Sequence, residues 1–165
     1  MDVKRLPDGV GLRTPGALVA TWFGVGLIRP APGTWGSVAA LPLGVGILYL
    51  AGPWGLLGAA VAIFAFGTWE THRLIRGFPD DAGHDHASIV VDEVAGQLIA
   101  LIPALFSPLL WLAAFLLFRL FDIWKPGPIG MLDRKVPGAL GVMLDDVAAG
   151  VAAALCVFAL SYLVP

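Results

Sequence analysis

The chain has 165 residues, of which 58% are hydrophobic and only 13% charged, and its mean hydropathy is +0.85. An ordinary soluble domain carries about 25% charge, so this composition excludes one, and a net charge of −2 offers no basic face for nucleic acid. The single cysteine, Cys156, excludes an intramolecular disulfide and any paired-cysteine metal site.

The N-terminal MDVKRLPDGVGLRTPG is basic but lacks the apolar core of a secretory signal. Residues 1–14 read as a flexible N-terminus of one domain spanning 1–165. Residues 15–28 (PGALVATWFGVGLI) are too short to cross a bilayer and read as an interfacial or packed helix. All ten basic and twelve acidic residues fall in three windows, 2–29, 70–93 and 119–146. The uncharged stretch 30–69 is twice the length of one span of about 20 residues, and Gly52-Pro53 lies at its middle, so it reads as a helical hairpin.

Residues 94–118 are also uncharged. Pro103 and the pair Ser107-Pro108 interrupt them, because proline removes a helical hydrogen bond and Ser-Pro favours turns. At 25 residues the stretch is long enough for one span, but the breaks favour a second hairpin with arms of about 88–106 and 108–124. The stretch 147–165, extended back to about Leu144, reads as one last helix. With two hairpins every Lys and Arg lies on one membrane face, as cytoplasmic segments require. The expected fold is all-α: a multihelical, membrane-embedded bundle of about five main helices, two hairpins plus a C-terminal helix. Its N-terminus is cytoplasmic and its C-terminus outside.

In that topology the polar groups converge. HDHASIVVDEVAG (84–96) carries His84, Asp85 and His86 and then Asp92-Glu93 at a helix start. FRLFDIWKPGPI (118–129) places Arg119, Asp122 and Lys125 at a helix exit, and GVMLDDVAAG (141–150) brings Asp145-Asp146 to the start of the last helix. Carboxylates gathered beside apolar helices repel one another unless a cation holds them. An all-oxygen set suits Mg²⁺, which leaves positions for water and a substrate phosphate, and Arg119 and Lys125 would bind phosphate oxygens. The tight turn IRPAPGTWGS (28–37) leads into a helix whose first N–H groups attract anions. Gly33, Thr34, Gly36 and Ser37 would present that end to the headgroup. Plainer roles compete: acidic residues also complement helix dipoles, Thr34 and Ser37 also serve as caps, and Arg119 and Lys125 also anchor helices. Glu70, His72, Asp133, Arg134 and Lys135 read as surface charges, His84 and His86 as loop residues.

The blocks APGTWGS, HDHASIVVDEVAG, FRLFDIWKPGPI and LDRKVPGALGVMLDDVAAG, in this order, resemble the phosphatidylglycerophosphatase A family from about Phe23 to Gly150. The resemblance implies a Mg²⁺-dependent lipid phosphatase of the bacterial inner membrane with its active site on the cytoplasmic face. It would convert phosphatidylglycerol phosphate to phosphatidylglycerol and inorganic phosphate, the last step of phosphatidylglycerol synthesis. The positions it carries over are Pro32-Gly33-Thr34, Gly36-Ser37, Asp85, Asp92-Glu93, Gly96, Arg119, Asp122, Lys125-Pro126, Asp133, Gly141, Asp145-Asp146 and Gly150.

The chain lacks the CxxxxxR loop of cysteine phosphatases and the DxDx[TV] motif of aspartyl-phosphate enzymes. Attack by metal-bound water without a covalent intermediate is therefore expected, with Asp92, Glu93, Asp145 and Asp146 as Mg²⁺ ligands. Asp122 or Asp85 would be the general base, Arg119 and Lys125 would stabilise phosphoryl oxygens, and the lipid tails would stay among the helices. An aspartate nucleophile stays open, as do the number of ions and the oligomeric state. Two rival classes remain. A CDP-alcohol phosphotransferase would need a DG…AR…G…D…D pattern that is absent, and an ion-coupled carrier would place its carboxylates near mid-helix.

Overall fold

A computed structural model of the chain describes residue 6 and residues 11–76 and 88–163. Six α-helices follow in order among these described residues: α1 Pro15–Ala20, α2 Pro32–Ile75, α3 Val91–Leu101, α4 Pro108–Trp124, α5 Pro128–Lys135 and α6 Gly138–Ser161. Two short 3₁₀ turns lie at Val25–Leu27 and Ile102–Ala104, and no strand occurs among the described residues.

The 44 residues of α2 are two limbs. Gly52 takes φ 66° and ψ −168°, a conformation open chiefly to glycine, and Pro53 then starts the second limb, where its missing N–H is no loss. The limbs fold back on each other. A Cβ on Gly36 would lie 2.8 Å from Val90 Cβ, and one on Gly67 would lie 3.0 Å from Val91 Cγ2, so positions far apart on α2 meet neighbouring residues of α3. The first uncharged stretch is a hairpin, and its second limb runs to Ile75 rather than ending at residue 69.

The second hairpin also forms, with α3 and α4 as arms. A Cβ on Gly96 would come within 2.5 Å of Phe118 Cε2, which sets the two arms side by side. Helix α3 is shorter than the anticipated 88–106 because Pro103 diverts the chain into the 3₁₀ turn. Nine of its eleven residues are buried, which makes α3 the central helix. Val94, Leu98 and Leu101 join Leu48, Leu56, Phe118, Ala149 and Val157 in one core, while Val91 and Ala95 face Ala17, Ala20, Leu74 and Met143 in a second. Residues 15–28 are a packed element: Ala17, Ala20 and Thr21 are wholly buried.

Glycine brings α3 and α6 close together. A Cβ on Gly96 would stand 2.6 Å from the Asp146 carbonyl oxygen, and one on Gly150 would collide with the Gly96 carbonyl oxygen. Two expectations need correction here. Helix α6 starts at Gly138, not near Leu144, because Gly138 with φ 70° turns the chain directly into it behind Pro137. Glu70 is not a surface charge: it is buried against α1 beside Gly16, and its Oε1 meets Arg73 Nη1 at 3.6 Å.

The bundle has two unlike ends. Tyr49 and Phe106 meet at a tilt with ring centroids 5.0 Å apart, so both hairpin tips meet at an uncharged end, and the cleft-lining charges lie at the other. Leu50, Trp54, Leu109, Leu112, Leu116, Leu155 and Phe158 are exposed along the outside. Helices α2 and α6 are long and apolar enough to cross a membrane. Trp35, Trp69 and Trp124 are exposed toward the charged end and Trp54 at the opposite tip, the distribution of two interfacial belts.

Candidate active site

At the charged end the start of α2, the start of α3, the end of α4, α5 and the first half of α6 surround a cleft of about 380 Å³. Asp92 and Glu93 occupy the first turn of α3. Asp145 and Asp146 stand two turns inside α6 rather than at its start, since that helix begins at Gly138. They are therefore not complements of that helix's dipole, and the helix-end argument against a carrier does not hold for this pair. Successive helical residues diverge by about 100°, so Asp145 and Asp146 face different partners.

Asp146 turns toward α3. Asp92, Glu93 and Asp146 each place a carboxylate oxygen within 4.8 Å of the others. Asp145 turns toward the end of α4, where its Oδ2 accepts a hydrogen bond from Lys125 Nζ at 2.6 Å. The same ammonium donates to Asp133 Oδ1 at 2.7 Å. Lys125 takes a left-handed φ of 47° as it leaves α4, which swings it between α5 and α6. Partial burial pulls the Lys125 ammonium down, but its hydrogen bonds and charge contacts with Asp133 and Asp145 outweigh that and hold it above its ordinary value. It keeps its proton throughout the physiological range.

Arg119 organises the opposite wall. Its Nη1 lies 2.6 Å from Asp122 Oδ2 and 3.9 Å from Glu93 Oε1, and it donates to Ser37 Oγ at 3.4 Å. Ser37 in turn donates to the Gly33 carbonyl at 3.0 Å, so it is no N-cap. The N-cap of α2 is Ala31, with φ 57° and no side-chain cap bond. Gly33 lines the cleft, and a Cβ there would collide with Glu93 Oε1. Gly36 serves packing against Val90. Thr34 is half-buried in the first turn and does not line the cleft.

Every anticipated site residue within the described chain, except Thr34, Gly36 and Ser37, lines this cleft. Asp85, with His84 and His86, lies outside the described residues. Sequence reasoning missed Asp133 as a partner of Lys125, although its position within the long C-terminal block pointed to it. It also passed over Gln97, wholly buried one turn beyond Glu93, with neither amide atom hydrogen-bonded to protein.

The donor set fits a hard divalent cation. Glu93 Oε2, Asp145 Oδ1 and Asp146 Oδ2 are buried without a hydrogen-bond partner, a costly condition for carboxylate oxygens. Asp146 also feels the charges of Asp122, Glu93 and Asp145. Clustered anions of this kind call for a cation, and all-oxygen donors select Mg²⁺ or a similar ion over soft metals.

Comparison with known proteins shows the family. The family model described as phosphatidylglycerophosphatase A matches residues 18–161. A phosphatidylglycerophosphatase A from Haemophilus influenzae is 45% identical over 156 residues, covering 93% of each chain. One from Escherichia coli is 40% identical over 145 residues, 87% of this chain and 81% of its own. A relative from Bacteroides thetaiotaomicron, with the provisional description phosphatidylinositol-3-phosphatase, is 36% identical over 141 residues, 81% of this chain and 86% of its own. No solved structure matches. The chain belongs to the phosphatidylglycerophosphatase A family.

Proposed function

We propose that the chain is a Mg²⁺-dependent phosphatase that hydrolyses phosphatidylglycerol phosphate to phosphatidylglycerol and inorganic phosphate. The observation that carries the reading is one cleft holding three mutually close carboxylates, Asp92, Glu93 and Asp146, opposite the two cations Arg119 and Lys125. Relatives named for this activity support the substrate.

Asp92, Glu93 and Asp146 would hold the ion, with the free Oδ1 of Asp145 beside them. Bound there, Mg²⁺ supplies Lewis acidity toward phosphoryl oxygens and lowers the pKa of water. Arg119 and Lys125 neutralise charge on the phosphoryl group as the bond to the glycerol oxygen breaks. Asp122 takes the proton of the attacking water. Among the cleft's described carboxylates it stands outside the three-carboxylate cluster and is not tied to Lys125, and its 2.6 Å ion pair with Arg119 Nη1 holds it beside the phosphoryl position. Asp122 returns that proton to the departing glycerol oxygen, and the products are an alcohol and inorganic phosphate. The uncovered N–H end of α2 at Ala31–Gly33 faces the same cleft and favours the anion.

The bundle would be embedded in the bacterial inner membrane, its charged end toward the cytoplasm. The apolar outer surface and two candidate spans support this placement. Phosphate release from phosphatidylglycerol phosphate by the detergent-purified protein tests the reading. Release should need Mg²⁺, stop with EDTA, return with added Mg²⁺, and be lost in Asp146→Asn. No release under any condition by folded protein would discard it. The description of the Bacteroides relative favours a second reading with another lipid phosphomonoester, and phosphatidylinositol 3-phosphate in the same assay separates the two.

A further inference from the structure

A second cavity, of about 370 Å³, lies on the outside of the bundle between the end of α4, the turn into α5 and the middle of α6. All its lining residues are apolar or glycine. Phe121, Pro126 and Ile129 form one wall, and Ala148, Ala152 and Leu155 form the other. The two alanines lie at i and i+4 on α6, so they share a face, and their small side chains leave the concavity. Nothing in it would hydrate or pair with a polar occupant.

Its position relative to the cleft is the informative point. Phe121 immediately precedes Asp122, Pro126 immediately follows Lys125, and Ala148 is two residues beyond Asp146. Groups of the charged cleft and walls of the groove thus alternate along the same segments, with neighbouring Cα atoms 3.8 Å apart. Only the Lys125–Pro126 step separates the two linings along the chain, and a lipid phosphate seated among Arg119, Lys125 and the carboxylates would pass over that turn to bring its apolar part to the groove. The rim residue Leu155 is 66% exposed, so the groove opens sideways onto the apolar outer surface and not only through the cleft.

We infer that one acyl chain of the lipid substrate lies in the groove between Phe121 and Ala152 while its phosphate occupies the cleft. This rests on the proposed lipid phosphatase activity and adds where the tail is held. The occupant is a substrate chain rather than bulk lipid, because the groove shares α4, α5 and α6 with the charged cleft proposed to bind the phosphate headgroup.

Filling the groove by Ala152→Phe tests it. The ratio of kcat/KM for dioleoyl over dibutyryl phosphatidylglycerol phosphate should fall about tenfold, on the scale of two buried methylenes displaced. An unchanged ratio overturns the inference. The unmodified protein gives an independent readout should that variant fail to fold. It is placed in phosphatidylcholine nanodiscs with phosphatidylglycerol phosphate carrying a diazirine at one acyl terminus. Light should then label residues 121–129 and 148–155, with the label displaced by excess unlabelled substrate. Labelling elsewhere overturns the inference, as does equal labelling by a diazirine phosphatidylcholine, which would assign the groove to bulk lipid. No label on either segment together with a dimer in light scattering gives the groove to a second copy. Wild-type protein that releases no phosphate from either substrate overturns the phosphatase reading instead, and the labelling then still reports on the groove.

Discussion

The charged cleft and the apolar groove have nearly the same volume, about 380 Å³ and 370 Å³, and α4, α5 and α6 supply walls to both. One is lined by six carboxylates and two cations, the other only by hydrocarbon and glycine. The difference arises from helical geometry. Phe121 and Asp122, or Asp146 and Ala148, are separated by one or two steps of about 100° each. A few residues can thus present a charged face inward and an apolar face outward. Such an arrangement suits a substrate with one charged end and one apolar end, held where a helix bundle meets a bilayer.

Several variants would break or sharpen that contrast. Arg119→Ala should lower kcat/KM on the order of 10³-fold, the scale on which loss of a preorganised charge is felt in a closed site. The loss should be equal for dioleoyl and dibutyryl substrates, and Arg119→Lys should recover part of it by restoring charge without the fork. A loss confined to the long-chain substrate would show that cleft and groove are not separate. Gly96→Val would push α3 from Phe118 and the Asp146 carbonyl. Overpacking of this kind costs about 1–3 kcal/mol, so thermal unfolding in detergent should shift down and both substrates should suffer together.

Gly33→Ala should be gentler. Its Cβ would displace Glu93 Oε1 but no backbone, so activity should drop roughly tenfold, the cost of one disturbed positioning contact, while the unfolding temperature holds. An unfolding shift as large as that of Gly96→Val would make Gly33 a packing residue. Asp133→Asn should have the smallest effect. Its side chain is 44% exposed and rim ion pairs contribute about 0.2–1 kcal/mol, so KM should rise by less than about fivefold. A much larger effect would place Asp133 inside the chemistry.

The hairpins were legible because their breaks are chemical: Gly52-Pro53 and Ser107-Pro108 interrupt otherwise uncharged runs, and both breaks are turns in the structure. The convergence of Asp92, Glu93, Arg119, Asp122, Lys125, Asp145 and Asp146 on one cleft followed from that topology and is observed. Residues 126–144 were harder to read. Pro126, Pro128 and Pro137 with four glycines suggest loop, yet prolines at the first positions of α5 and before α6 start helices rather than prevent them. The placement of Asp145–Asp146 two turns inside α6 was hidden for that reason. Their division of labour was hidden for another: adjacent identical residues carry no mark of which one faces α3 and which one Lys125. The burial of Glu70 could not be read either, because α1 folds over it from far away in the chain.

The near-contact of Gly96 with Gly150 has a mechanical consequence. Asp92 and Glu93 sit one turn before Gly96, and Asp146 one turn before Gly150, so the spacing of the three carboxylates is set by the point where two backbones touch. The tips of the hairpins, by contrast, meet through Tyr49 and Phe106 far from that point. In the proposed membrane setting, a thicker or thinner bilayer would displace the tips most, as the ends of long levers, and the contact next to the chemistry least. For the bundle embedded as proposed, turnover should be nearly indifferent to the chain length of the surrounding lipid.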